Sequence, residues 1–134
     1  GVQLLLEVLP LIASGQLKPR QQPHPDRATY TKRITKEDGR IDWSKPATQI
    51  EREIRAYGGW PRSYTTFGSV EVIITEAHSA PSGNGQPGAL EIEGDELKIH
   101  TIDDYICIDK LIPAGKKEMP ASAFLAGYKD RLKN

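Results

Sequence analysis

The hydrophobic pattern of the chain changes its period near residue 63, and this change is the strongest constraint on the fold. Before it, in residues 2–14 and 47–57, apolar residues recur every three or four positions, as along one face of a helix. After it, apolar and polar residues alternate, which indicates half-buried strands. Tight-turn sequences at Gly68-Ser69, Gly94-Asp95 and Asp103-Asp104 separate the alternating segments. Several short strands joined by tight turns predict a mainly β chain that forms a small antiparallel barrel.

Five strands follow from this alternation. Residues 64–67 and 70–77 predict one hairpin, and the segments around Leu90 and Leu97 predict a second. Residues 105–112 predict the fifth strand. The glycine- and proline-rich segment from 79 to 88 is expected to be the loop between the two hairpins.

Two helices accompany these strands. The first precedes them: Ser44 is expected to cap it, Pro46 lies in its first turn, and Gly58-Gly59 ends it. The second, a short closing helix, covers residues 120–132 at the C-terminus. Its inward-facing residues are expected to be Phe124, Leu125 and Tyr128.

The first 36 residues have a different character from the rest. Residues 1–15 contain one amphipathic helix with Pro10 in its last turns and Gly15 as its stop signal. Because one helix cannot form its own core, we expect it to be the last element of a domain that precedes residue 1. Residues 16–36 are basic and rich in proline, as in a stiff linker. The barrel domain is then expected to comprise residues 37–134.

Charge is unevenly distributed along a chain whose net charge is zero. Residues 18–36 hold six basic residues and one acidic residue, and residues 110–134 hold six and two. The middle of the chain holds fourteen acidic and six basic residues. Clustered lysines and arginines bind phosphates through counterion release, so the basic ends are candidates for nucleic-acid binding if the fold brings them together. In the alternative interpretation they are solvated charges that never converge.

No set of residues suggests catalysis or metal binding. The histidines lie in a linker, at a loop edge and in a strand, without metal-ligand spacing, and we expect each of them at the surface. Cys107, the single cysteine, is expected to be a buried structural thiol in a protein of a reducing compartment. Asp103-Asp104 is interpreted as a turn rather than a catalytic pair. Gly83-Asn84-Gly85 lacks the lysine and helix of a phosphate-binding loop. No membrane span or signal peptide is recognisable.

The chain resembles the methionyl-tRNA formyltransferases along nearly its whole length. The matching segments occur in the family's order, and they are residues 28–43, 54–57 with Trp60-Pro61, 86–88, 115–119 and 123–128. The chain departs from the family pattern where Gly58-Gly59 replaces the usual Asn-Pro. The opening helix and linker are similar to the end of the family's formyltransferase domain. The resemblance therefore identifies residues 37–134 as the family's C-terminal domain, an oligonucleotide-fold-like barrel.

The resemblance also implies the role of this domain, which is to hold initiator tRNA. The positions that match the basic linker, the junction and the Gly-Lys-Lys motif are expected to contact phosphates, and they are Lys18, Arg20, Lys32, Arg33, Lys36, Lys116 and Lys117. Trp43 and Trp60 are expected to pack in the core or at a corner rather than stack on bases.

The family transfers a formyl group from 10-formyltetrahydrofolate to initiator methionyl-tRNA in the bacterial cytoplasm. Its catalytic residues belong to the N-terminal formyltransferase domain, which this chain is expected to contact as its partner. The chain itself is expected to be monomeric and inactive alone, and to bind no cofactor and no metal. Two alternatives remain open: a structural spacer in a formyltransferase or hydrolase that acts on sugar nucleotides or formyl-folate, and a stand-alone enzyme.

Overall fold

The computed structural model of the protein describes residues 1–81 and 85–132. Gly83 and Asn84 of the predicted loop and Lys133 of the basic C-terminal segment lie outside the described residues. The chain forms two compact units, Gly1–Lys32 and a second one that begins at Arg33. None of the helices in the described part of the chain has the length and hydropathy of a membrane span.

The first unit contains a single long helix. The predicted helix α1 spans Val2–Ala13 and includes Pro10 within its last turn; Gly15, whose φ is +71°, follows its cap residue Ser14. It buries no residue within the chain, and its leucines are largely exposed. A short 3₁₀ turn over Pro25–Arg27 is the other regular element of this unit.

The second unit is a mainly antiparallel sheet, and its mainly β class is confirmed. The strands follow the order β1-β2-β5-β4-β3, and β6 pairs with the far end of β5. Their bounds are β1 Ser63–Phe67, β2 Val70–Ala80, β3 Leu90–Glu93, β4 Glu96–His100, β5 Tyr105–Pro113 and β6 Met119–Pro120. Both predicted hairpins and the fifth strand are therefore present. Within the described residues the hydrogen bonding does not close the sheet, because β1 and β3 stay at opposite ends of this order.

Two helices complete this unit. Helix α2 spans Ala47–Ala56 and contacts β2 and β5, and α3 spans Ala121–Leu132 and contacts β4, β5 and β6. The predicted inward face of α3 is confirmed: Phe124 and Leu125 are buried, and Tyr128 packs partly buried beside them. The core joins these helices to the inward faces of the strands through Ile50, Ile54, Val72, Ile74, Leu97, Ile99, Ile106 and Leu111.

The cap of α2 differs from the prediction. Ser44 Oγ donates to Asp42 Oδ1 (2.6 Å) and does not cap the helix, which begins three residues later. The backbone N–H of Ala47 instead donates to Asp103 Oδ1 at 2.9 Å. The free N–H groups at the start of a helix need an acceptor, and here the β4–β5 turn supplies it. The interpretation of Asp103-Asp104 as a turn is thus confirmed, and Asp103 has a second structural role.

Candidate nucleic-acid interface

The entrance to the second unit is a tight turn that follows the predicted basic residues. The backbone N–H and the hydroxyl of Thr35 both donate to Asp38 Oδ2, at 2.7 and 3.1 Å. A 3₁₀ turn over Glu37–Gly39 follows. Gly39 is buried, and a Cβ there would clash with the carbonyl oxygen of Arg62. Only glycine fits this close approach of two backbone segments.

Beyond this turn the chain runs along the open edge of β1. Arg40 forms a parallel bridge with Tyr64, and Ile41 N–H donates to the Tyr64 carbonyl oxygen at 3.0 Å. This pairing partly covers an edge that would otherwise present unpaired backbone groups. It also brings Arg40 to the sheet, although the charge pattern had placed this arginine in the acidic middle of the chain.

A pocket of about 350 Å³ opens beside this edge. Its charged lining residues are Arg40 and Glu71, its aromatic ones are Trp43 and Tyr64, and the remaining ones are Ile41, Thr65, Thr66 and Gly88. The sequence did not predict this site. Its members come from the junction, from β1, from β2 and from the loop before β3, and no local motif links them.

Trp43 is held in a defined position at this pocket. Its indole N–H donates to Thr65 Oγ1 at 3.4 Å, and its Cδ1 atom lies 3.4 Å from the point where a Cβ would stand on Gly88. The ring is partly buried against the core, as predicted for packing. The same prediction is wrong for Trp60, which is 62% exposed and precedes the cis Trp60-Pro61 bond.

Glu71 connects this pocket with the second basic segment. Its carbonyl oxygen accepts a hydrogen bond of 2.9 Å from Ala114 N–H, directly after β5. The turn then closes through Lys116 N–H, which donates to the Pro113 carbonyl oxygen at 2.9 Å. Glu71 therefore lines the same pocket as Arg40 and is hydrogen-bonded to the turn that carries Lys116.

The basic side chains fall into two groups according to whether an acidic partner neutralises them. The paired ones lie before or on α2 and on the strands, and they are Lys45 with Glu53, Arg55 with Glu51, Lys98 with Glu93 and Glu96, and Lys110 with Glu76. The hydrogen bond to Glu53 raises the pKa of Lys45, and the one to Glu76 raises the pKa of Lys110. Each of these cations is already paired with a glutamate, so the pair offers little net positive charge to a phosphate.

The residues expected to contact phosphates belong mostly to the other group. Within the described residues, no acidic side chain forms an ion pair with Lys18, Arg20, Arg33, Lys36, Lys116 or Lys117. All six, and Lys32, are exposed. Lys18, Arg20 and Lys32 lie in the first unit, and the other four lie in the second.

The cysteine and two of the histidines are characterised by the residues that surround them. Cys107 is a buried free thiol as predicted, and burial raises its pKa. His100 corrects the expectation of an exposed histidine: it is 8% exposed, because it packs 4.4 Å from the Tyr105 ring and lies 3.1 Å from Glu91 Oε2. His78 lies 2.9 Å from Asp109 Oδ2 at the surface. Among residues 1–81 and 85–132, no three acidic, histidine or cysteine side chains are grouped as metal ligands would be.

Fold and site together define a mainly β domain that presents unneutralised basic side chains and a polar, aromatic pocket at one sheet edge. The chain belongs to the family described as "Formyl transferase, C-terminal domain", whose sequence model matches residues 33–129. This match begins at the first residue of the second unit and covers most of that unit.

Curated relatives extend this similarity over the first unit. A methionyl-tRNA formyltransferase of Chloroflexus aurantiacus is 44% identical over 131 residues, which are 95% of this chain and 42% of that protein. The enzymes of the same name from Geobacillus thermodenitrificans and Roseiflexus castenholzii are 42% and 37% identical, over 98% and 96% of this chain. The chain spans 42% of the length of each of these relatives.

Solved structures confirm the fold. A variant of HypX from Aquifex aeolicus superposes with a TM-score of 0.60 at 21% identity, over 99% of this chain and 24% of HypX. HypX in complex with tetrahydrofolic acid gives a TM-score of 0.59 over 95% of this chain and 23% of HypX. At this identity the likeness concerns the fold alone.

Proposed function

We propose that this chain is the tRNA-holding part of a methionyl-tRNA formyltransferase. One observation carries the proposal: within the described structure no acidic side chain forms an ion pair with the exposed Arg33, Lys36, Lys116 and Lys117, whereas Lys45, Lys98 and Lys110 are each paired with a glutamate. The phosphate contacts are assigned to Lys18, Arg20, Lys32, Arg33, Lys36, Lys116 and Lys117. The names of the relatives supply the kind of nucleic acid.

The arrangement of the whole protein is part of the proposal. Residues 1–15 are the terminal helix of the formyltransferase domain, residues 16–36 the linker, and residues 37–134 the C-terminal domain. The exposed leucines of α1 support this division, since an apolar helix face needs a core to cover it. The preceding domain would supply the catalytic residues and bind 10-formyltetrahydrofolate, in the bacterial cytoplasm. The tRNA-holding part binds no cofactor and transforms no substrate by itself.

A titration of initiator tRNA at low and at physiological salt tests the proposal. Several phosphate contacts give non-specific affinities on the order of 10⁻⁴–10⁻⁶ M at physiological salt, with much tighter binding at low salt. The double variant Arg33→Glu/Lys36→Glu is expected to weaken binding at least about tenfold. Arg52→Glu, on the exposed face of α2, is the matched control. No binding at low salt, or equal losses in both variants, would contradict the proposal and favour a spacer role beside another catalytic domain.

A further inference from the structure

We propose that the pocket lined by Arg40, Trp43, Tyr64 and Glu71 binds one unpaired nucleotide of the RNA, with preference for a base that carries an exocyclic amino group. The inference rests on the proposed function, because it names the part of the RNA that this surface receives. It adds base recognition to a domain whose other contacts are to phosphates.

The dimensions of the pocket suit a single nucleotide. Its volume of about 350 Å³ lies at the lower end of the range of small-molecule sites. A duplex segment cannot enter a space of this size, whereas an unstacked base can. Proteins recognise RNA sequence mainly through such unstacked bases, which they stack on aromatic side chains and bind along their edges.

The indole of Trp43, the tryptophan of the pocket, is held in place before a ligand arrives. The indole of Trp43 is oriented by its hydrogen bond to Thr65, and a Cβ on the neighbouring Gly88 would lie 3.4 Å from its Cδ1 atom. The backbone of Tyr64 is held by Ile41 N–H. An aromatic surface that is already ordered loses little conformational entropy when a base stacks on it. Stacking of this kind accepts any base.

The two charged groups provide selectivity. Arg40 and Glu71 both line the pocket and are exposed, yet they form no ion pair with each other or with another described residue. The guanidinium of Arg40 can donate to a phosphate. The carboxylate of Glu71 can only accept, so it favours the amino groups of adenine, cytosine and guanine over the carbonyl oxygens of uracil.

The pocket also lies close to the proposed phosphate contacts. Lys36 precedes Arg40 by four residues of 3₁₀ turn and bend, which is roughly 8 Å at the usual rise of about 2 Å per residue. On the other side, the turn that carries Lys116 is hydrogen-bonded to Glu71 through Ala114. A strand whose base enters the pocket therefore has basic side chains available for the phosphates on both of its sides.

Trp43 offers a direct readout. Trp60→Phe leaves Trp43 as the only tryptophan, and Trp60 is exposed enough to be replaced without disturbing the core. In this background we expect initiator tRNA and the trinucleotides of adenosine and cytidine to quench Trp43 fluorescence saturably. The uridine trinucleotide should bind at least about fivefold more weakly. The Trp43 indole N–H resonance of the unmodified chain provides the same readout if Trp60→Phe does not fold.

Substitutions of the two charged residues complete the test. Arg40→Ala should weaken trinucleotide binding about tenfold, and Arg52→Ala should leave it unchanged. Glu71→Gln should abolish the discrimination against uridine. Both Arg40 and Glu71 are exposed, so these variants are expected to fold as the parent does.

The outcomes separate this inference from the proposed function. If tRNA binds in a salt-dependent manner but the Trp43 signal does not respond, the pocket is not a nucleotide site, whereas the proposed phosphate contacts are supported. If trinucleotides bind at Trp43 while tRNA does not, the pocket is a nucleotide site and the proposed function is wrong. If neither binds, both are wrong. Equal affinity for uridine and cytidine trinucleotides overturns the assigned role of Glu71.

Discussion

The carboxylate of Asp103 caps α2 by accepting a hydrogen bond of 2.9 Å from the backbone N–H of Ala47. The two residues lie 56 positions apart in the sequence, and the bond ties the start of the helix to the β4–β5 turn. The bond to Ala47 and a second one from Thr101 lower the pKa of the Asp103 carboxyl. A negative charge at this position also interacts favourably with the helix dipole.

Replacement of this carboxylate should destabilise the domain and reduce its sensitivity to acid. Because the pKa of Asp103 is lower in the folded than in the unfolded chain, its contribution is complete above its ordinary value of 3.8 and is lost as the pH falls through the lower, folded value. Asp103→Asn is therefore expected to lower the Tm by a few degrees at pH 7 and to have less effect below pH of about 3. Thermal unfolding followed by circular dichroism between these pH values measures both effects.

Asp95→Asn is the matched control for Asp103, because Asp95 also lies in a turn between strands but caps no helix. It should leave both the Tm and its dependence on pH nearly unchanged. Equal effects of the two substitutions would show that the Ala47 bond contributes nothing specific.

Gly39 is expected to be the glycine least tolerant of a side chain at the junction. In Gly39→Ala the new Cβ would meet the Arg62 carbonyl oxygen and lie 3.1 Å from Pro61 Cγ, so the backbone must shift. Such overpacking costs about 1–3 kcal/mol of the free energy of unfolding, which urea denaturation measures. Gly59→Ala has no atom within 4 Å of its Cβ and should be nearly neutral. If Gly39→Ala is equally neutral, the close approach of these segments is not a constraint.

Neutralisation of the turn after β5 should reduce the salt dependence of RNA binding. Each phosphate contact contributes about 0.7–0.9 to the slope of log affinity against log salt. Lys116→Ala/Lys117→Ala is therefore expected to lower the slope by about 1.5 if both lysines contact phosphates. Lys110→Ala removes a lysine that Glu76 already neutralises and should lower it much less. If the slope is unchanged in the Lys116/Lys117 variant, these two lysines do not contact phosphates.

Cys107 should react with thiol reagents only when the sheet opens. It is 8% exposed between β2 and β4, and burial raises its pKa, so little reactive thiolate is present at neutral pH. We expect modification by a chromogenic disulfide at pH 8 to be on the order of a hundredfold slower in buffer than in denaturing urea. A rate in buffer similar to that in urea would show that the thiol is accessible in the folded chain.

The sequence by itself determined five of the six described strands, their turns and the closing helix; the short strand β6 was not predicted, and its Pro120 was assigned to the closing helix. Hydrophobic alternation and glycine-containing turns act between neighbouring residues, so the five strands between residues 63 and 113 could be assigned without knowledge of their partners. Buried Cys107 and the inward face of α3 followed for the same reason. The family was also recognisable, because its motifs keep their order along the chain.

Only the tertiary structure decided which distant residues meet. The cap of α2 by Asp103, the burial of His100 beside Tyr105, and the pocket between Arg40 and Glu71 all join residues from separate elements. The ion pairs that neutralise some lysines and leave others available depend on the same pairing of strands and helices. A local pattern specifies which face of an element is apolar, but the position of a charge relative to its partner is fixed only when those faces pack together.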